Sequence, residues 1–169
     1  MSDYIEYTVT VYENGHKEWY IDDRLHREDG PAIECSDGTK SWWLTGKRHR
    51  EGNPAVEYAD GHKSWWLNGK RHREDGPAVE RSDGTKSWYL NGELHREDGP
   101  AVKYADGGKE WWLHGEELTE EEFNARMPTG VRSSSVSEDI AYLQMDIHRL
   151  NQSISEIEEV IELRLSENG

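Results

Sequence analysis

Four histidines, His26, His49, His72 and His95, recur at 23-residue intervals. Imidazole suits both metal ligation and proton transfer near neutral pH. Asp29, Asp75 and Asp98 keep the same frame with the second unit skipped, Lys17, Lys40, Lys63, Lys86 and Lys109 recur at the full 23-residue step, and Cys35 is the sole thiol. These residue types could supply a zinc site, an anion ladder or a nucleophile, but their spacing argues against each. Equivalent positions in successive units of a strand array lie two strands apart, roughly 9–10 Å, whereas ligands of one zinc ion converge to about 2 Å from it. The histidines are therefore expected to make structural hydrogen bonds, and the aspartates before Gly-Pro to accept backbone amides in turns. Lysine stems lying along aromatic rings account for the lysine series without a ligand. Cys35 fills the slot of Tyr58, Arg81 and Tyr104 in other units, as a packing variant. There is no Gly-rich phosphate loop, nucleophile elbow or metalloprotease helix. Catalytic constellations are asymmetric, whereas nearly every reactive residue here recurs. The expectation is a protein without catalytic residues, metal ligands or a cofactor.

The recurrence itself defines the architecture. Trp19, Trp42, Trp65, Trp88 and Trp111 are spaced by 23 residues, a glycine precedes each by four, and Pro31, Pro54, Pro77 and Pro100 follow the first four by twelve. One unit runs from Ala55 to Pro77 and contains Asp60-Gly61 and Asn68-Gly69 between β-prone runs. Such dipeptides favour two-residue type I′ hairpin turns, in which both central residues need positive φ. A two-residue turn at Asp60-Gly61 pairs Glu57 with Ser64 and Val56 with Trp65. It also pairs Lys103 with Glu110, an apparent charge swap across strands. Side chains alternate along a strand, so this register puts the first Trp of each pair on a packed face with Val56-type and Leu67-type residues. Tyr20, Trp43, Trp66, Tyr89 and Trp112 fall on the opposite face, beside Glu57-type and Ser64-type residues, as a row of half-exposed rings and the expected partner-binding surface.

Residues 1–115 are thus expected to form a mainly β, tandem antiparallel β-hairpin repeat array in a single sheet. Residues 116–137 add a short helix, opened by a capping box at Thr119–Glu122 and running to about Met127, then a Ser-rich linker. Residues 138–169 carry heptads with Ile140, Ile147, Ile154 and Ile161 at a, and Leu143, Leu150 and Ile157 at d. This predicts a C-terminal α-helical coiled coil that oligomerises the chain, its β-branched a positions favouring a parallel dimer with a trimer left open.

Composition narrows the partners. Only 33% of residues are hydrophobic, yet eight Trp and eight Tyr stand beside a single Phe, so rings must supply burial that aliphatic cores usually supply. The formal net charge is -15, with 22 acids against 16 Lys+Arg in residues 1–115 and 13 against 4 thereafter. That balance opposes nucleic acid and anionic membranes, and points to a basic partner surface. No segment is long and apolar enough to span a bilayer, and a single cysteine suits a reducing compartment, so a cytoplasmic location is expected.

The strings Ser64-Trp65-Trp66-Leu67-Asn68-Gly69 and His72-Arg73-Glu74-Asp75-Gly76-Pro77-Ala78 resemble the WxxNGxxHRxDGPA repeats of bacteriophage and giant-virus proteins, often described as MORN-like. The resemblance covers roughly residues 5–115. It implies a viral origin and a binding role, with a host protein such as a defence factor as partner. A structural component of a virion or assembly intermediate, and a sponge for an anionic nucleotide, are the other functions that fit.

Overall fold

The computed structural model describes residues 6–127 and residue 154. Among the described residues the chain is mainly β. Short strands build one 12-stranded antiparallel sheet, accompanied by three two-stranded hairpins and one helix, α1 (Glu120–Arg126). The sheet begins at β1 (Thr8–Val11), continues through β2 (Lys17–Ile21), and ends at Lys109–Leu113 and Glu116–Leu118. Each interior unit supplies two sheet strands, such as Val56–Glu57 and Lys63–Ser64, and then a small hairpin, Trp66–Leu67 with Lys70–Arg71.

Trp65 is the crossover between these parts. Its N–H donates to the Ala78 carbonyl of the next unit, and its own carbonyl accepts from His72 N–H. The chain therefore leaves the sheet at Trp42, Trp65 and Trp88, whereas the strands through Trp19 and Trp111 run on unbroken within it. Successive small hairpins are joined in turn, with Gly69 N–H donating to Arg48 O and Arg50 N–H to Trp66 O. The core is a column of small and β-branched residues. Ala32, Ala55, Ala78 and Ala101 are fully buried, and Val56, Val79 and Val102 nearly so.

The two turns of each unit differ in type. At Asn68-Gly69 both residues have positive φ, as type I′ requires, and Asp22-Asp23, Thr45-Gly46, Asn91-Gly92 and His114-Gly115 do the same. At Asp60-Gly61 only the glycine is left-handed. Tyr58 N–H reaches His62 O, and the Asp60 carboxylate accepts His62 N–H at 2.9 Å. This is a three-residue loop with the glycine as bulge, stabilised by the aspartate's grip on the backbone two residues on.

That extra loop residue corrects the expected register. Val56 pairs with Ser64 and Glu57 with Lys63, and Lys103 faces Lys109 while Val102 faces Glu110. A one-residue slip exchanges the two faces of a strand. Hence Val56 shares its face with Ser64, whose hydroxyl accepts the Trp66 indole N–H. Glu57, in turn, bonds Arg50, which stacks on the first tryptophan, Trp42. The valines belong with the second ring and the glutamates with the first, the reverse of the sequence expectation. Trp65 is 8% exposed, whereas Trp42 and Trp88 are only partly buried.

The C-terminal end carries its own small core. Thr119 and Glu122 form both bonds of the capping box at the start of α1. Phe123 of α1 packs with Leu113 and Leu118, so the first compact unit runs Met1–Met127, and Pro128–Gly169 is a second. Ile154 is helical and 50% exposed. The other seam positions, Ile140, Leu143, Ile147, Leu150, Ile157 and Ile161, lie outside the described residues.

Candidate functional site: an aromatic row interleaved with guanidinium groups

Tyr20, Trp43, Trp66, Tyr89 and Trp112 stand at equivalent positions of successive units, and all five are half-buried. Their cross-strand partners are Leu25, Arg48, Arg71, Leu94 and Glu117. In the middle of the array this pairing alternates rings with guanidinium groups. Arg48 lies 5.0 Å from the Trp43 ring and 5.2 Å from Trp66, and Arg71 lies 5.1 Å from Trp66 and 5.2 Å from Tyr89. Each guanidinium is thus held between two aromatic faces. Arg48 and Arg71 join the five rings expected from the sequence, and the mark they leave there is their 23-residue spacing, two residues beyond the Gly of the second turn.

The rings are fixed from below. Trp43 and Trp66 donate their indole N–H to Ser41 and Ser64 at 2.7 and 2.8 Å. At the two ends a glutamate replaces the serine. Glu110 accepts Trp112 Nε1–H and the Tyr104 hydroxyl, and Glu18 accepts the hydroxyls of Tyr20 and Tyr12. Hydrogen bonds from Tyr20 and His16 hold the Glu18 carboxyl below the usual range, and the same bond pushes the Tyr20 phenol up to about 12. A rigid aromatic surface loses little conformational entropy on binding.

The opposite face carries a repeated clamp. Arg27, Arg50, Arg73 and Arg96 lie 3.7 to 4.2 Å over Trp19, Trp42, Trp65 and Trp88. Each also donates to a proline carbonyl four residues on. Three of them grip Asp29, Asp75 and Asp98, whose carboxyls the arginine hydrogen bonds hold below the ordinary range. A depressed carboxyl stabilises the fold above its unfolded pKa, and that contribution disappears as pH falls through the folded value. Stability is therefore expected to decline on acidification below the ordinary carboxylate range. Asp75→Asn together with Asp98→Asn should lower the melting temperature at pH 7 and flatten its acid limb, as followed by circular dichroism. An unchanged acid limb would show that these clamps contribute nothing.

The histidines hold one unit to the next. Nδ1 of His26, His49, His72 and His95 accepts the backbone N–H of Thr45, Asn68, Asn91 and His114 at 3.1 to 3.2 Å. Those donors are the first residues of the positive-φ turns, so each imidazole fixes the next small hairpin. Among the described residues, no three His, Cys, Asp or Glu side chains gather in a metal-binding group. Cys35 is partly buried, with burial as the main reason its thiol pKa is raised.

A second pattern follows the sheet rungs. The register aligns Lys17, Glu34, Lys40, Glu57, Lys63, Glu80 and Lys86 in strict alternation of charge, then Lys103 and Lys109. The row closes with three adjacent lysines. Like charges directly opposite are unfavourable, and Lys103 stands where the earlier units place glutamate.

No family model matches the chain, and no curated protein matches it.

Proposed function

We propose that this chain is a non-catalytic, virus-type protein-binding module of MORN-like repeats, oligomerised by a C-terminal coiled coil, that captures and inhibits a basic host protein in the cytoplasm. The observation that supports this reading is the half-exposed row Trp43–Arg48–Trp66–Arg71–Tyr89, flanked by Tyr20 and Trp112. Tryptophan, tyrosine and arginine are the residues that dominate binding energy at interfaces. Here they are pre-positioned by serine hydroxyls and by one another, so little ordering is left for the moment of binding. The net charge of -15 would draw a basic partner toward the chain as a whole.

Capture from host lysate by the full chain, compared with Trp66→Ala, tests the reading. Loss of about 2 kcal/mol of binding, roughly a 30-fold fall in affinity for the captured protein, is expected if the ring is a hot spot. Capture that survives Trp43→Ala, Trp66→Ala and Tyr89→Ala combined would place the interface elsewhere.

The Lys86–Lys103–Lys109 rungs favour a second reading, a sponge for an anionic nucleotide. A nucleotide that raises the melting temperature of the wild type but not of Lys103→Glu would replace protein capture as the leading function.

A further inference from the structure

The two ends of the sheet are finished differently. The C-terminal end is closed by the apolar packing of Phe123 from α1 on Leu113 and Leu118. At the N-terminal end β1 has, among the described residues, a partner on one side only, β2. All four of its residues are exposed, Val9 by 44% and Val11 by 63%. The antiparallel alternation shows which backbone groups are unpaired. Trp19, opposite Val9, donates its N–H to Ala32 on the far side, and Tyr12 N–H bonds His16 within the hairpin. Thr8, Thr10 and Tyr12 therefore bond toward β2, while Val9 and Val11 direct N–H and C=O outward. The strand has no charge, proline or bulge of the kind that blunts an edge against further pairing.

We infer that this edge pairs antiparallel with β1 of a second copy of the chain, about a two-fold axis at Thr10. Outward groups meet outward groups only when odd positions face odd positions. With the axis at Thr10, Val9 faces the second copy's Val11 and Val11 its Val9, giving about four backbone hydrogen bonds from two pairs. The same register sets Thr10 against Thr10, Thr8 against Tyr12, Tyr7 against Glu13 and Glu6 against Asn14, so no carboxylate faces another. Moving the axis to Val11 would set Val9 against Glu13 and leave a single valine pair, Val11 against itself, in place of two. A four-residue contact is far smaller than a standard interface. It rests on the tail-mediated oligomer proposed above, which would supply the local concentration.

Disulfide trapping in the full chain carrying Cys35→Ser tests the pairing. Thr10→Cys would face itself across a non-hydrogen-bonded rung at about 4.5 Å between Cα atoms, within disulfide range. Val9→Cys would lie two residues out of register with its own copy, roughly 8 Å away and beyond that range. Covalent dimer should form about tenfold faster from Thr10→Cys than from Val9→Cys, and an equal mixture of Val9→Cys and Val11→Cys should give the mixed dimer. Adding Val9→Pro to Thr10→Cys removes an outward donor but no bond to β2, so it should abolish the cross-link while the melting temperature is retained. Equal rates at the two positions, or no cross-link, would overturn the inference. Absence of the cross-link with loss of host-protein capture in Val9→Pro would show that the edge takes a foreign strand. Light scattering of the reduced full chain reads the tail separately. If that chain is a monomer, the tail reading fails, and the Thr10→Cys to Val9→Cys ratio at raised protein concentration still decides the edge.

Discussion

Replacing Trp65 by alanine is expected to destabilise the array by about 3–5 kcal/mol, the range for a buried tryptophan whose cavity cannot collapse. Trp65 is the most buried of the tryptophans at 8% exposure, and its ring carries the Arg73 guanidinium at 4.1 Å. Truncation removes that stacking surface while Arg73 keeps its bonds to Asp75 and Pro77. The backbone of residue 65 joins its own small hairpin to the next unit through His72 and Ala78. A cavity there therefore loosens two units at once, and a sum of neighbour terms propagates the loss along a repeat array. Trp66→Ala removes a half-buried ring, one indole hydrogen bond to Ser64, and contacts with two guanidinium groups. Its expected cost is about 1–2 kcal/mol. Urea denaturation of the two variants measures the difference. Equal losses would mean that both rings serve the fold alike, and that the row is not a surface held free for binding.

Placing aspartate at both Ile147 and Leu150 is expected to convert the coiled-coil oligomer proposed above to a monomer at low micromolar concentration. These positions are a and d of the heptad pattern, and an unpaired carboxylate in an apolar seam is strongly unfavourable. The repeats should remain folded, because each unit contacts only its neighbours and the first compact unit ends at Met127. Circular dichroism should retain its β signal while affinity for a captured multivalent partner falls by about 10²–10⁴ through loss of avidity. A variant that remains oligomeric by light scattering would show that the heptads do not join the chains.

The repeat period, the β class, the type I′ turns at Asn-Gly and the capping box at Thr119–Glu122 were determined by sequence alone. Each rests on local rules, such as the glycine needed at positive φ at Gly69 or the hydroxyl needed at a helix start. The tertiary structure decided the register, because Asp60 can close either a two-residue turn or a bulged loop. The choice depends on the carboxylate reaching His62 N–H and on Ala59 N–H finding Thr39 of the preceding unit. One residue of slip then exchanged Val56 with Glu57 between the faces and set Lys103 beside Lys86 and Lys109. It also decided that the chain leaves the sheet at Trp65, since that depends on Ala78 of the following unit accepting the tryptophan N–H. Such long-range backbone pairings leave no periodic mark in the unit itself. The aromatic row was legible as five recurring rings, but its interleaving with Arg48 and Arg71 required the small hairpins of neighbouring units to pack side by side.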